Sequence, residues 1–485
     1  MNIKMVFRTV GRISQTVALL MIIPAVVAVI YNEKRSCISF LIVAVSAFLI
    51  GSAITLITKT KNSIIYAKEG FAITSLAWIV MSLIGALPFK ISGEIPSYID
   101  AVFETVSGFT TTGASILTNV EEISKSMLFW RSFTHWIGGM GVLVFLMAVT
   151  PNISDRSIHI MRAEMPGPIV GKLVPRVKDT AKILYLIYIV LTVLQIILLF
   201  AGGMPLYDSF VVAFGTAGTG GFAVKADSIA SYSPYCQWVI TIFMLSFGVN
   251  FNLYYLLILR RFKTVIKSCE LWTYIAIFSV SAILITFNIM PQSNNVSEAI
   301  RNSAFQVSSL LTTTGFATTD FNLWPDFSKA ILVLLMFSGA CSSSTAGGFK
   351  VARTIMVFKN IKREIKRMIH KRSVSTVHYE GKPIDEMTFN GANTYLAVYI
   401  MCFLAIFLII SLEPFGFETN FTATAACFNN VGPGLAGVGP MSSYAGYSGF
   451  SKIVLSFAML FGRLEIFPIL ITLSPSTWIK KINRR

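Results

Sequence analysis

Ten apolar runs set the pattern of this chain, at 13–32, 36–58, 70–89, 132–154, 183–207, 228–259, 271–297, 330–349, 387–412 and 453–479. Nine carry no charge, and the tenth is interrupted only by Arg463 and Glu465. About 20 apolar residues span the ~30 Å hydrocarbon core of a bilayer, so each run predicts one transmembrane helix, the longest with loop residues at their ends. Four shorter amphipathic stretches alternate with the later runs: SYIDAVFETVSGF (97–109), LYDSFVVAFGTA (206–217), VSEAIRNSAFQVSSLL (296–311) and ETNFTATAACF (418–428). A helix of about 12 residues is only ~18 Å long. It cannot cross, but it can enter part-way if protein surrounds its backbone.

Each short stretch leads into a glycine-centred polar segment. Two read TTTG, at 110–113 and 312–315, and two are weaker relatives, GTAGTGGFA (215–223) and CFNNVGPGL (427–435). Aligned on one glycine each, they are Thr112-Gly113, Thr219-Gly220, Thr314-Gly315 and Val431-Gly432, at spacings of 107, 95 and 117 residues, with Gly218 in place of a threonine. Self-similarity of this kind marks a repeat architecture. The predicted fold is an all-α integral membrane protein with four tandem helix–pore-helix–loop–helix repeats around a pseudo-fourfold pore. The repeats occupy 63–155, 156–265, 266–375 and 376–485, preceded by two extra transmembrane helices in 1–62.

Four such loops around one axis suit a dehydrated cation. Backbone carbonyls and threonine hydroxyls replace its water, half-helix C-termini aim negative dipole ends at the centre, and glycine permits the bend. The candidate filter residues are Thr111, Thr112, Gly113, Thr219, Gly220, Thr313, Thr314, Gly315, Asn430, Val431 and Gly432. Hydroxyl and carbonyl oxygens without a carboxylate ring favour a monovalent ion over Ca²⁺ or Mg²⁺.

The eighth run breaks at GACSSSTAGG, residues 339–348. Glycine and serine are poor helix formers, and irregular backbone at membrane depth belongs beside a cavity or inside protein. Gly339, Ser342, Ser343, Ser344, Thr345, Gly347 and Gly348 are therefore candidate gate residues beneath the filter, against the plainer reading of a frayed helix end before Lys350. Arg463 is the other candidate. A charge at mid-membrane costs roughly 2.5–3.5 kcal/mol, so it faces a cavity and has a partner. Hydrogen bonding to the flap is one expectation, and a structural pair with a carboxylate such as Glu465 on a neighbouring helix or chain the other. Two residues apart on one helix, Arg463 and Glu465 point about 200° away from each other.

The composition is 54% hydrophobic and 13% charged, with a net charge of +17. With the N-terminus cytoplasmic and one crossing per run, the cytoplasmic segments hold 30 Lys and Arg and the external ones 9. The positive-inside rule thus puts both termini in the cytoplasm. It also accounts for the basic balance without nucleic acid. The first run is too long for a signal-peptide core, and the residues after it offer no small-residue cleavage site. Six scattered Cys and four His show no metal-binding spacing. Gly218 to Ala223 matches GxGxxA, but a dinucleotide site needs a βαβ unit around it. Residues 350–386 carry ten Lys and Arg, which suits a helix on anionic lipid headgroups or a docking face for a regulatory subunit. The linker 151–182, with Pro166, Pro168 and Pro175, is similarly basic. His135, near the external end of its run, is expected to be a hydrogen-bonded structural residue, with a proton relay as the alternative.

In these residues the chain resembles the Trk/Ktr/HKT superfamily of potassium transporters. The two extra N-terminal helices suit the membrane subunits of bacterial Trk systems, the TrkH type. HWIGGMGVLVF (135–145), AEMPGP (163–168), GACSSSTAGGFKVAR (339–353), FNNVGPG (428–434) and MLFGRLEIF (459–467) carry the same resemblance. It implies potassium uptake across a bacterial inner membrane, K⁺ held at the filter residues, a homodimer, and gating by a TrkA-type cytosolic subunit that carries the nucleotide; no cofactor is bound by the chain itself. The competing reading is a proton- or sodium-coupled secondary transporter of another small solute. Such proteins are often built from inverted repeats broken at the midplane, whereas these repeats share one polarity and break externally. A membrane-embedded enzyme would need paired ionisable groups within helices, and only Arg463 and Glu465 qualify.

Overall fold

Glycine governs the first contact of the chain. The computed structural model describes residues 1–59, 66–141, 177–370, 377–380, 382–383 and 386–478. Helices Ile3–Leu20 and Ile22–Ile30 form one long span, and Lys34–Ile57 returns beside it. The span thus begins ten residues before the run at 13–32, because Asn2 caps it by accepting the Met5 amide. The two helices cross at Gly11 and Gly51, where a Cβ on Gly51 would lie 2.6 Å from the Gly11 carbonyl oxygen.

Four repeats follow, each with an outer helix, a half-helix and an inner helix. The outer helices are Ala67–Ser92, Val177–Ala201, Cys269–Ile289 and Glu386–Ile410. The half-helices are Tyr98–Phe109, Leu206–Gly218, Val296–Leu311 and Phe417–Phe428. An acid stands in the first turn of each, Asp100, Asp208, Glu298 and Glu418, where it complements the positive helix end. The inner helices are Lys125–Met140, Pro234–Gly248, Asp326–Ser338 and Gly449–Arg463.

The inner helices correct the expectation of straight crossings at 228–259 and 453–479. They have 16, 15, 13 and 15 residues, about 20–24 Å at 1.5 Å per residue, short of the hydrocarbon thickness. In the second repeat the chain turns by 91° into Phe251–Ile258, and in the fourth by 120° into Phe467–Leu473. Asn250 caps the first of these continuations. Glu465 and Ile466 adopt left-handed backbone before the second, which starts with Pro468 in its first turn. Apolar run length gives no sign of such breaks, because Leu464 and Ile466 are themselves buried core residues. In the third repeat the irregular segment 339–350 separates Ser338 from the helix Val351–Ile369.

Packing closes the repeats into a ring. Each inner helix lies against the half-helix of the next repeat, and the fourth inner helix lies against the first half-helix. Lys452 and Asp100 seal that last joint with a 2.7 Å ion pair. Apart from a two-residue ribbon, His378–Tyr379 with Lys382–Pro383, the described chain is helical. With six helices among the described residues long and apolar enough to cross, and two bent pairs besides, this is a multi-pass, all-α membrane protein. The domain boundaries expected at 62/63, 155/156 and 375/376, the end of the run 132–154, AEMPGP and the prolines of the 151–182 linker lie outside the described residues.

The helix crossing yields a test. Gly51→Val should lower the thermal midpoint in detergent, since overpacking a close contact costs about 1–3 kcal/mol. Gly391→Val, on an outer helix with nothing within 4 Å of its Cβ position, should fall by much less.

Candidate functional site

Every half-helix ends in the same turn. Thr111, Thr219, Thr313 and Asn430 take left-handed backbone, with φ of 56°, 55°, 55° and 56°. The following amide then reaches back five residues, from Thr112 to Ser107, Gly220 to Gly215, Thr314 to Ser309 and Val431 to Ala426, at 2.9, 2.8, 2.7 and 2.8 Å. This is the Schellman cap, whose left-handed position usually falls to glycine or asparagine. A β-branched residue there is an outlier that costs about 1–3 kcal/mol. The tripeptide expected only to lend oxygens therefore also makes the bend. A second left-handed residue follows two positions later: Gly113, Gly221, Gly315 and Gly432.

These angles correct the register of the second loop. Gly221, not Gly220, is the counterpart of Gly113, and Gly220 takes the place of Thr112, Thr314 and Val431. Thr219 matches Thr111. The sequence alignment paired the Thr-Gly dipeptides, and GTGG holds two adjacent glycines that only backbone angles distinguish. Two threonine side chains of the first loop, Thr110 and Thr112, thus have glycines, Gly218 and Gly220, as their counterparts.

The four loops touch backbone to backbone in cyclic order. A Cβ on Gly113 would lie 2.1 Å from the Gly220 carbonyl oxygen, on Gly221 2.0 Å from that of Thr314, on Gly315 2.2 Å from that of Val431, and on Gly432 2.6 Å from that of Thr112. No side chain fits at any of the four. Outside this ring a cavity of about 350 Å³ opens, bordered by Arg131, Tyr444 and the four glycines. Arg131 and Glu104 form a buried ion pair. Glu104 also accepts the Ile116 amide at 2.9 Å and the Ser115 hydroxyl at 3.0 Å, pinning the first loop. In the fourth, the Tyr444 hydroxyl donates to the Gly432 carbonyl at 2.8 Å.

On the other side of the ring lies the segment 339–348. It is not a frayed end: residues 339–347 are buried. Its neck is glycine against glycine, since a Cβ on Gly348 would come within 2.8 Å of the Gly339 Cα. The Gly347 amide donates to the Thr313 hydroxyl at 2.7 Å, so the segment touches the turn of the third loop. The Ser342 amide and hydroxyl donate to Glu270 at 2.6 and 3.0 Å, Ser343 accepts the Phe251 amide at 3.2 Å, and Ser344 bonds Cys341 within the segment. Glu380, in the turn of the ribbon, accepts the Ser268 hydroxyl and the Glu270 amide.

Arg463, at the end of the fourth inner helix and 4% exposed, joins these parts. Its guanidinium donates to the Thr345 carbonyl at 2.6 Å, the Thr111 hydroxyl at 3.2 Å, and the Gly138 and Gly139 carbonyls at 2.7 and 2.6 Å. It thereby reaches the irregular segment, the first loop and the end of the first inner helix. Glu465 pairs instead with Arg353, whose guanidinium also lies 4.0 Å from the Tyr395 ring.

The structure thus brings all the candidate filter residues into one ring and the candidate gate residues directly beneath it. Sequence reasoning missed Gly221, Glu270 and the carbonyls of Gly138 and Gly139. The doubled glycine of GTGG and a lone acid at the head of an apolar run were the available signals for the first two; backbone acceptors leave none. His135, expected near the external end of its helix, lies in its second half, because that helix starts at Lys125.

Comparison with known proteins agrees with the fold. Residues 38–482 match the family model TrkH, described as a cation transport protein. The Trk system potassium uptake protein TrkH of Salmonella typhimurium is 33% identical over 97% of this chain and 99% of its own length. TrkG of Escherichia coli K12, named as a Trk system potassium uptake protein, is 33% identical over 98% and 99%. The crystal structure of the potassium transporter TrkH from Vibrio parahaemolyticus superposes with a TM-score of 0.89 at 29% identity, covering 99% of this chain and 100% of that one.

Two substitutions separate ring packing from mere left-handed strain. Gly221→Ala, with φ +74° and a carbonyl 2.0 Å away, should relax the selectivity of cation flux into proteoliposomes. Gly203→Ala, with φ +83° and open space around it, should keep most of it, since strain alone is about 1–2 kcal/mol.

Proposed function

This chain belongs to the TrkH family of cation transport proteins, and from that premise we propose that it takes up K⁺ through a filter built from its four re-entrant loops. The observation that carries the reading is the closed ring in which the carbonyls of Thr112, Gly220, Thr314 and Val431 abut the glycines of the preceding repeat, the first following the fourth. Such carbonyls replace the hydration shell of an ion, and four half-helix C-termini lend it negative potential. Thr313 and Asn430 border the ring on the side of the irregular segment, and Arg463 links Thr111 to it. The relatives named as potassium uptake proteins over nearly the full length support K⁺ as the ion. Transport, not enzymatic chemistry, is the activity of this family.

The segment 339–348 acts as the gate. It is folded under the ring by the Gly347–Thr313 and Arg463–Thr345 hydrogen bonds, and Arg463 sets a positive charge below the filter. Release of these bonds opens the path. The signal comes from a TrkA-type cytosolic subunit that carries the nucleotide, received on the basic face of 350–386. The chain works as a homodimer in a bacterial inner membrane, with both termini cytoplasmic. The basic helix Val351–Ile369 and the excess of Lys and Arg on that side support the orientation. The repeats run 63–155, 156–265, 266–375 and 376–485, after two extra helices in 1–62.

Flux of ⁸⁶Rb⁺ and K⁺ into proteoliposomes, with Na⁺ as competitor, tests the filter. Wild type should prefer K⁺, and Gly113→Ala, Gly315→Ala or Gly432→Ala should relax that preference; unchanged selectivity in all three would sink the assignment. For the gate, Arg463→Ala and deletion within 342–347 should both raise flux in the absence of a partner. If Arg463→Ala lowered flux while the deletion raised it, the two would not form one gate.

A further inference from the structure

The second loop is the odd member of the ring, and the reason lies one repeat away. Behind the first loop the hydroxyls of Thr110 and Thr112 hydrogen-bond each other at 2.8 Å, and behind the third Thr312 and Thr314 do the same at 2.8 Å. In the fourth the positions are Asn429 and Val431, and the Tyr399 hydroxyl donates to Asn429. The second loop has Gly218 and Gly220 there. It has no side chain of its own behind its ring carbonyl.

The imidazole of His135 occupies that space. A Cβ on Gly220 would lie 2.4 Å from both Cγ and Nδ1 of His135 and 2.6 Å from Cδ2. A Cβ on Gly218 would lie 2.3 Å from the His135 carbonyl oxygen, so the first inner helix approaches the second half-helix backbone to backbone. The ring is fully buried and packs 4.1 Å from Phe222, which follows Gly221 in the second loop. Nδ1 lies 2.7 Å from the Gly108 carbonyl. A carbonyl only accepts, so Nδ1 carries the proton and donates. The same Gly108 carbonyl accepts the Thr111 amide at 3.1 Å, within the turn of the first loop.

One side chain therefore touches two neighbouring turns: it bonds the cap of the first loop and backs the carbonyl-bearing residue of the second. A purely apolar filler could not make the bond to Gly108. Nε2 has no hydrogen-bond partner among the described residues.

We infer that His135 is a specificity-determining positioning residue, which replaces the paired hydroxyls of the other loops and sets the Gly220 carbonyl in the ring. The inference rests on the filter reading above and is separable from it. It also assigns Gly220 a reason distinct from that of Gly221: room for a side chain, not backbone angle or carbonyl contact. A clash with a side chain is relieved by removing that side chain, and a clash with backbone is not.

The test is a complementation in proteoliposomes, read as K⁺ over Na⁺ preference with retained folding checked by size exclusion. His135→Ala leaves the Gly220 carbonyl without backing and should relax the preference about tenfold or more. Gly220→Thr alone, which drives a side chain into the imidazole, should be at least as damaged. The double variant His135→Ala with Gly220→Thr, which restores a hydroxyl where the first and third loops have one, should recover most of the preference. Gly221→Ala should gain nothing from His135→Ala. If His135→Ala does not fold, His135→Gln serves, since its amide can still donate to Gly108 while the ring contact is lost; the same relaxation is expected. Wild-type selectivity in a folded His135 variant, or a double variant no better than its single parents, would overturn the inference while leaving the filter intact. A wild-type protein without K⁺ preference would overturn the filter reading itself, and this inference with it.

Discussion

Four backbone contacts hold the functional centre together. At each, the carbonyl of one loop presses on the glycine of its neighbour, so that a single methyl group has no room. Everything around the ring serves to bring four chain segments to that distance. The half-helices stop at the same turn, with a hydrogen bond reaching back five residues in each. The inner helices each brace the next half-helix. Glu104, Tyr444 and His135 fix individual loops from behind. Packed interiors respond to changes of one methylene, and here the tolerance is smaller still, because both partners are main chain.

Charge within the membrane follows the same economy. Arg131 with Glu104, Arg353 with Glu465 and Lys452 with Asp100 are ion pairs between separate elements of the ring. Removing one member of a buried pair costs roughly 3–5 kcal/mol because the other charge stays behind. Arg463 is different in kind. The hydroxyl of Thr111 and the carbonyls of Thr345, Gly138 and Gly139 converge on it, which ties it to parts with little else in common. A guanidinium has five donors in a fixed fork, and few other side chains could reach so many segments at once.

The sequence made some of this legible and hid the rest for identifiable reasons. The half-helices could be read because twelve to sixteen residues with one polar face cannot cross a bilayer and must stop inside it. The flap could be read because a Gly/Ser run is a poor helix. Arg463 could be read because charge is rare at that depth. The breaks of the inner helices could not, since Val249, Leu464 and Ile466 look like any other apolar residue in a run. The register of the second loop was lost in the Gly220-Gly221 doublet. His135 is the clearest case: its meaning lies in two glycines some 85 residues downstream, a relation that no local pattern contains.

The cyclic order of the contacts also has a consequence for how the protein is made. Three joints of the ring link successive repeats, but the fourth joins Thr112 to Gly432 and Asp100 to Lys452, the first repeat to the last. A nascent chain emerging from a ribosome at about 5–20 residues per second leaves the first loop waiting roughly 20–70 s for its neighbour. During that time its strained threonine, its buried acid and its bare carbonyl face lipid, translocation machinery or water where the fourth repeat will later stand. Biogenesis of this fold is therefore a problem of keeping an open arc of three repeats from collapsing or mispairing until the last helix pair arrives.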